Sequence, residues 1–307
     1  MGIGTGEAIR SSPTKATGGA WPARARAYVS LTRPGVSLMV ALTAPPAVLM
    51  GHAATAATHG LLAAVAGTLL LSSGCSAVNA WYERDRDALM SRTARRPLPA
   101  GDLAAGEALT FGLVTAVLGI LVLAAWGSAL GALLGALTFA YYLGIYTVWL
   151  KPRSAHSTVA GAVAGAAAPL IADAAAHGRI GPWGWTVFAI IFLWQPAHVW
   201  AIALFRKNEF AAAGLPMMPA IVGETATRRL MLGWTLPLLP VSLLPWLGGV
   251  LGPVYAVTAL AVGAMFVATI AQAMRARDAR SDRRVFKVSL IYLMAVFGAM
   301  LAELALR

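Results

Sequence analysis

Three polar side chains, spaced four residues apart, could form a site at the end of an apolar segment. Asn79, Glu83 and Asp87 follow the apolar run 61–78 and open the stretch 79–99, NAWYERDRDALMSRTARRPLP, which holds three acids and five arginines. Residues four apart on a helix share one face. Mg²⁺ commonly binds one or two carboxylates together with substrate phosphates. We therefore predict that Glu83 and Asp87 are Mg²⁺ ligands and that Asn79, one turn deeper, orients them.

Arginines follow the two carboxylates directly. A guanidinium group matches the spacing of phosphate oxygens, so Arg92, Arg95 and Arg96 are predicted to bind phosphate. An excess of cations at the cytoplasmic face of a membrane protein is the other explanation for the same run.

A second polar cluster lies in WQPAHVWAIALFRKNEFAAAGLPMMP, residues 194–219. Arg206, Lys207 and Glu209 repeat the pattern of cations beside a carboxylate. We predict that Glu209 holds a second metal ion and that Arg206 or Lys207 binds the departing phosphate. His198 lies earlier in the same stretch, where it either hydrogen-bonds within the helix bundle or takes part in the chemistry.

The composition indicates a polytopic membrane protein. Of 307 residues, 59% are hydrophobic and 12% are charged, whereas soluble domains hold about 25% charged residues. The single cysteine excludes an intrachain disulfide and a cysteine-only metal site. The net charge of +12 does not indicate a nucleic-acid partner, because the cations divide by membrane side rather than forming a groove.

Nine apolar segments approach the ~20 residues that a helix needs to cross a bilayer. They lie at about 36–54, 61–81, 108–125, 129–150, 158–176, 183–204, 230–250, 253–274 and 288–306. With nine crossings, all of the 24 lysines and arginines except Arg179 and Arg307 fall on one side. The positive-inside rule then predicts a cytoplasmic N-terminus. We expect a disordered cytoplasmic segment, 1–26, followed by one polytopic domain, 27–307.

The motifs resemble those of the UbiA superfamily of intramembrane prenyltransferases. Within that superfamily they are most similar to the protohaem IX farnesyltransferases, or haem O synthases. The resemblance spans about residues 27–305 and rests on four stretches: 79–101, YTVWLKPRS at 146–154, WQPAHVW at 194–200 and FRKNEFAAAGLPMMP at 205–219. It implies an all-α membrane protein, a bundle of nine transmembrane helices.

The resemblance also implies a reaction. Farnesyl diphosphate would donate its farnesyl group to a vinyl group of haem b, with addition of water, giving haem O and diphosphate for terminal oxidases. Mg²⁺ would be the cofactor, and Lys151 and Arg153 would join the cations that bind the diphosphate. Partners would include the lipid bilayer and haem A synthase or terminal oxidase assembly factors. The enzyme would lie in a bacterial inner membrane with its active site toward the cytoplasm.

This chain departs from the family pattern at several positions. Glu83 stands where many relatives have Asp, which preserves an oxygen ligand, and Phe210 replaces a usual tyrosine. The proline that usually precedes the histidine directly is displaced to Pro196, which alters the setting of His198.

Two alternatives remain open from the sequence. A UbiA-type enzyme could instead act on a quinone precursor or another aromatic or tetrapyrrole acceptor. A transporter would place ionisable residues within its spans, and only Asp173 and Glu303 favour that interpretation.

Overall fold

The computed structural model describes residues 21–51 and 57–306, and within these ranges the regular structure is helical. The α-helices are α1 (Trp21–Leu31), α2 (Pro34–Leu42), α3 (Ala44–Met50), α4 (Ala57–Asp87), α5 (Ala105–Val122), α6 (Ala129–Ala140), α7 (Ser157–Gly165), α8 (Ala168–His177), α9 (Pro182–Phe205), α10 (Lys207–Ala212), α11 (Met218–Val222), α12 (Glu224–Thr235), α13 (Leu238–Leu247), α14 (Pro253–Ala276) and α15 (Ala279–Ala305). Two π-helical segments, Leu123–Gly127 and Tyr141–Leu150, extend α5 and α6. The predicted all-α class is confirmed.

The described helices include eight that are long and apolar enough to cross a membrane. Helix α1 and the segment Pro34–Met50, bent by 46° at their junction, supply a ninth if the pair forms one span. This arrangement agrees with the nine predicted crossings, and the cytoplasmic position of the N-terminus stays a prediction. Residues 1–20 of the predicted disordered segment lie outside the described residues, while 21–26 belong to α1.

Small residues allow the central helices to approach closely. A Cβ atom placed on Gly74 of α4 would meet backbone atoms of α5, and one placed on Gly131 of α6 would lie 2.8 Å from the Ala175 Cα atom of α8. Membrane helices associate through such close contacts because lipid provides no hydrophobic drive for them to pack together. Helix α4 therefore packs tightly against α5, and α6 packs tightly against α8.

Ion pairs collect at one end of the bundle. Arg24 pairs with Glu107, Lys207 with Glu224, and Arg228 with Asp282, all between elements that meet near the connections following α4, α9 and α14. This placement is consistent with the prediction that nearly all lysines and arginines lie on one side of the membrane.

Two acids at the opposite end stabilise helix termini. Glu303 accepts hydrogen bonds from the backbone N–H groups of Gly252 and Tyr255, at the start of α14. Asp173 accepts from the Gly181 N–H at 2.6 Å and bonds the His177 ring at 2.7 Å, which joins the end of α8 to the start of α9. Carboxylates commonly satisfy the free N–H groups at helix starts. These contacts account for both acids without a transport role.

The buried pair of Arg228 and Asp282 carries a stability prediction. Both side chains are nearly fully buried, and the guanidinium donates twice to the carboxylate, at 2.9 and 2.6 Å. Because Arg228→Met leaves Asp282 charged and buried, we expect it to destabilise the protein by about 3 to 5 kcal/mol. Arg228→Met combined with Asp282→Leu should recover most of that loss.

Thermal unfolding of the detergent-solubilised protein measures both effects. Arg229→Met is the matched control, because Arg229 is the next residue and its side chain is exposed. Equal unfolding temperatures for Arg228→Met and Arg229→Met would refute a structural role for the pair.

Candidate active site

The predicted polar face of α4 is present and buried. Asn79 and Asp87 have exposed fractions of 0% and 2%, and Glu83 one of 7%. The Asn79 side-chain amide donates to Glu83 Oε2 at 2.8 Å. Asp85, between the two acids, is exposed and lies 3.7 Å from Arg84. Helical spacing therefore separated the two buried carboxylates from the exposed one.

The π-helical segment Tyr141–Leu150 supplies the opposite wall of the site. Its Tyr142 and Thr147 hydroxyls donate to Asn79 Oδ1, at 3.4 and 3.1 Å. In a regular α-helix, residues five apart are rotated by roughly 140° and could not both reach one atom. A π-helix bonds residue i to i+5 and brings such residues onto one face. The widened turn thus fixes the Asn79 carboxamide, which in turn holds Glu83.

Lys151 directly follows the π-helical segment and forms an ion pair with Glu83 Oε1. Its ammonium also lies 5.7 Å from the centre of the Tyr146 ring. Burial by itself would lower the pKa of Lys151, but the neighbouring Tyr146 and Glu83 outweigh it, so the pKa is raised above its ordinary value. Lys151 therefore remains a cation at neutral pH.

The loop after α4 folds back over Asp87. Arg96 donates to Asp87 Oδ2 at 2.6 Å, and the Thr93 hydroxyl donates to the Asp87 backbone carbonyl at 2.7 Å. Leu98 and Leu103 anchor the loop in a small core with α1. Arg96, one of the predicted phosphate-binding residues, is therefore fixed against a predicted metal ligand.

Arg92 and Arg206 lie where the loop after α4 meets the loop after α9. Partial burial, followed by the charges of Arg96 and Arg206, lowers the pKa of the Arg92 guanidinium. Met90 of the first loop packs with Ala213 and Leu215 of the second. Guanidinium groups that repel one another in this way provide a site for a multiply charged anion.

Arg33 is a site residue that sequence reasoning counted only as a cytoplasmic cation. Its backbone lies in the left-handed region with φ of 48°, between α1 and α2. It lines both the pocket that contains Asp87 and Arg96 and the apolar cavity described below. Pro34 restricts the backbone of the residue before it, but it does not indicate in the sequence where the Arg33 side chain lies.

Three other predicted residues have partners elsewhere, and a fourth is exposed. Glu209 accepts a hydrogen bond from Arg206 at 2.8 Å, and no group of three potential metal ligands occurs in residues 21–51 and 57–306. The structure therefore does not bring Glu209 to Glu83 and Asp87. Arg153 donates to two backbone carbonyls of the π-helical segment, Lys207 pairs with Glu224, and Arg95 is exposed. Lysine and arginine side chains on surface loops are long enough to reach several partners, so the spacing of these residues in the sequence does not predict which partner they bond.

A cavity of about 220 Å³ runs from this cluster into the bundle. Arg33, Tyr142 and Tyr146 line its polar end, and Leu71 and Ile171 line its deep, apolar end. The two tyrosines therefore lie between the cations and the apolar part of the cavity. The cavity can hold an apolar chain whose charged end remains among the cations.

His198 points away from this cavity. Its Nδ1 atom lies 2.7 Å from the Ser289 hydroxyl, and its ring stacks on Trp194 at 4.4 Å. Gln195 and Val199, four residues apart on α9, line the cavity, whereas His198 does not. One residue rotates a helix by about 100°, which accounts for the difference.

The residues present fit a magnesium ion that binds together with its substrate. Glu83 and Asp87 offer oxygen atoms one helical turn apart, and both are already held by neighbouring donors. Mg²⁺ typically takes one or two carboxylates and completes its shell with phosphate oxygens and water. A pair of carboxylates facing phosphate-binding cations is a donor set of this kind.

Fold and site together define a polytopic helical membrane protein with a carboxylate and cation cluster at the mouth of an apolar cavity. The model of the UbiA prenyltransferase family matches residues 37–295. The chain therefore belongs to the UbiA prenyltransferase family, which confirms the resemblance drawn from the motifs.

Curated relatives match between 74% and 97% of this chain. Protoheme IX farnesyltransferase of Rhizorhabdus wittichii is 37% identical over 285 residues, 91% of this chain and 93% of the relative. That of Methylorubrum populi is 38% identical over 305 residues, 97% and 93% of the two chains. Protoheme IX farnesyltransferase 1 of Mesorhizobium japonicum is 43% identical over 229 residues, 74% of each chain.

Solved structures share the fold at low sequence identity. A digeranylgeranylglyceryl phosphate synthase aligns with a TM-score of 0.75 at 14% identity, covering 92% of this chain and 99% of that one. A UbiA homologue from Archaeoglobus fulgidus, solved with GPP and Mg²⁺, aligns with a TM-score of 0.64 at 15% identity, covering 89% and 99%. The predicted UbiA-type bundle is confirmed by these similarities.

Proposed function

We propose that this protein transfers the farnesyl group of farnesyl diphosphate to a vinyl group of haem b, with addition of water, to give haem O and diphosphate. The observation that carries the proposal is the buried pair of Glu83 and Asp87, backed by cations at the mouth of an apolar cavity. The relatives described above, which match over most of the chain, are protoheme IX farnesyltransferases.

The charged end of the cavity suits departure of the diphosphate. Arg33, Arg92, Arg96 and Arg206 surround the region in front of Asp87, and Lys151 neutralises Glu83. Preorganised cations stabilise the charge that accumulates on a leaving group as its bond breaks. A Mg²⁺ ion held by Glu83 and Asp87 would neutralise further charge on the diphosphate oxygens.

The apolar part of the cavity suits the farnesyl chain. Exclusion of water protects an allylic cation from premature capture. The tilted pair of Tyr142 and Tyr146, with ring centres 5.3 Å apart, lies where the cation would form, and aromatic faces attract cations. Haem b would enter from the bilayer beside this cavity, with its vinyl group toward the two tyrosines.

The location and partners follow from the same proposal. The chain is a multi-pass membrane protein, and we place it in a bacterial inner membrane with the cation cluster toward the cytoplasm. Haem A synthase or terminal oxidase assembly factors would then receive haem O.

Expression in a haem-O-deficient bacterium tests the proposed function. Haem extraction followed by mass analysis should show haem O only in cells that carry the gene. Haem b alone, in cells whose membranes contain the full-length protein, would contradict the proposal.

Removal of divalent cations gives a prediction for the purified enzyme. A metal ion contributes several kcal/mol to stabilising a developing anion, so chelation should lower the rate by at least roughly 100-fold. Added Mg²⁺ should restore it, whereas Ca²⁺, which prefers more ligands at longer distances, should restore much less. Activity that persists in excess chelator after dialysis would refute the role of Glu83 and Asp87 as metal ligands.

A further inference from the structure

Gln195 places an unpartnered carboxamide near the middle of the apolar helix α9. It lies near the centre of α9 and lines the apolar cavity. Among residues 21–51 and 57–306, no group forms a hydrogen bond with its side chain. A polar group inside a membrane protein that lacks a protein partner is costly and usually functional. Its donor and acceptor are therefore available to something that enters the cavity.

Helix packing fixes the direction of this carboxamide. A Cβ atom on Gly165 of α7 would collide with the Gln195 amide, so the glycine creates the space that the amide occupies. One turn nearer the charged end of the bundle, Gly161 does the same for the Tyr146 ring, which would lie 2.7 Å from its Cβ atom. Two glycines four residues apart on α7 thus leave room for the side chains of Tyr146 and Gln195 on one wall of the cavity.

This spacing places Gln195 just below the reacting end of the cavity. Four residues of helix rise about 6 Å, and Tyr146 lies beside Lys151 at the diphosphate end. The Gln195 carboxamide is therefore about one turn deeper than the leaving group. The new carbon–carbon bond would form at this depth.

Two hydroxyl groups on the cavity wall are less available, because they already have hydrogen-bond partners. The Thr68 hydroxyl donates to the Ala64 carbonyl at 2.6 Å, and the Ser72 hydroxyl donates to Ser37 at 3.3 Å. A carboxamide offers a donor and an acceptor side by side. It can therefore both accept from and donate to a single water molecule.

We propose that Gln195 binds the water molecule that is added to the product, an inference that rests on the proposed function. In the balanced sequence, the terminal vinyl carbon attacks C1 of the farnesyl group, and the C1–O bond electrons leave with the diphosphate. The positive charge then lies on the inner vinyl carbon. The oxygen of the bound water forms a bond to that carbon, and its surplus proton passes to the departed diphosphate. Without bound water, the same cation loses a proton and gives an alkene.

The product ratio tests this role. In membranes supplied with farnesyl diphosphate and haem b, Gln195→Met keeps the length of the side chain and removes its donor and acceptor. We expect the ratio of hydroxylated to dehydrated farnesyl haem, two species that differ by the mass of one water, to fall roughly five- to tenfold, as for loss of one or two hydrogen bonds. Gln195→Glu, which keeps an acceptor at this position, should retain more of the wild-type ratio than Gln195→Met.

Thr138→Val is the matched control, because it removes a hydroxyl from the same cavity without changing Gln195. Its product ratio should equal that of the wild type.

An unchanged ratio in Gln195→Met would overturn the proposal. Loss of both products in Gln195→Met with intact farnesyl diphosphate binding would also overturn it, because Gln195 would then act before water capture. If Gln195→Met fails to accumulate, Gln195→Leu takes its place. Failure of the wild type to farnesylate haem would instead refute the proposed function.

Discussion

Asp87→Asn is expected to lower the rate of farnesyl transfer by about 10² to 10³-fold. The substitution keeps the size of the side chain but removes a negative charge that faces both Arg96 and the proposed metal position. A neutral amide binds Mg²⁺ less well than a carboxylate, so the charge on the leaving diphosphate is less well neutralised. Initial rates in solubilised membranes, at saturating haem b and varied Mg²⁺, measure the effect.

Asp85→Asn is the control for Asp87→Asn. Asp85 belongs to the same helix and the same stretch, but its side chain is exposed. We expect this variant to retain wild-type activity within about twofold, as for an exposed surface charge. If both variants lost activity equally, the charge of the segment as a whole, rather than the buried face, would determine the rate.

Lys151→Met is expected to reduce both stability and activity. The variant leaves the Glu83 carboxylate buried without the cation that neutralises it, and truncation of a buried pair costs about 3 to 5 kcal/mol. We also expect kcat/KM for farnesyl diphosphate to fall by about 100-fold, because a cation beside the leaving group is lost. Thermal unfolding and steady-state kinetics measure the two effects separately.

A double variant separates the structural part of this effect from the catalytic part. Lys151→Met combined with Glu83→Gln no longer leaves an unpaired charge, so its unfolding temperature should return toward that of the wild type. Its activity should remain low because both charged groups are missing. Lys287→Met, at an exposed position of α15, is the control for loss of a lysine. Recovery of activity in the double variant would show that Lys151 serves stability alone.

Periodicity was sufficient to predict the carboxylate face. Three polar residues four apart on one helix must share a face. The Asn79 to Glu83 hydrogen bond at 2.8 Å joins two of them, and the third, Asp87, is buried as they are. Length and hydropathy were likewise sufficient for the helix bundle, because a membrane requires helices of a minimum length. Both inferences depend on geometry that is local in sequence.

The remaining parts of the site depend on contacts between distant segments. The π-helical segment that directs Tyr142 and Thr147 onto Asn79 has no marker in the spacing of apolar residues. The same holds for Arg33, whose role follows from the turn between α1 and α2.

Because lysine and arginine side chains are long, the sequence does not predict which groups they contact. Arg96 and Lys151 reach the two carboxylates, while the equally long Arg153 bonds neighbouring backbone carbonyls. For His198, the motif leaves a structural and a chemical role open, and the rotation of α9 directs Gln195 rather than His198 into the cavity. A helical motif specifies which residues are near one another, and only the packing of the helices specifies which of them face the cavity.

Competition between acceptors tests the central claim most directly. The purified protein in lipid vesicles would receive farnesyl diphosphate and Mg²⁺, together with equal amounts of haem b and 4-hydroxybenzoate, and the products would be identified by mass spectrometry. We predict that farnesyl appears on haem with one added water and that this product is lost in Asp87→Asn. Farnesyl on the hydroxybenzoate alone would contradict the account and would identify a UbiA-type enzyme that prenylates an aromatic acid.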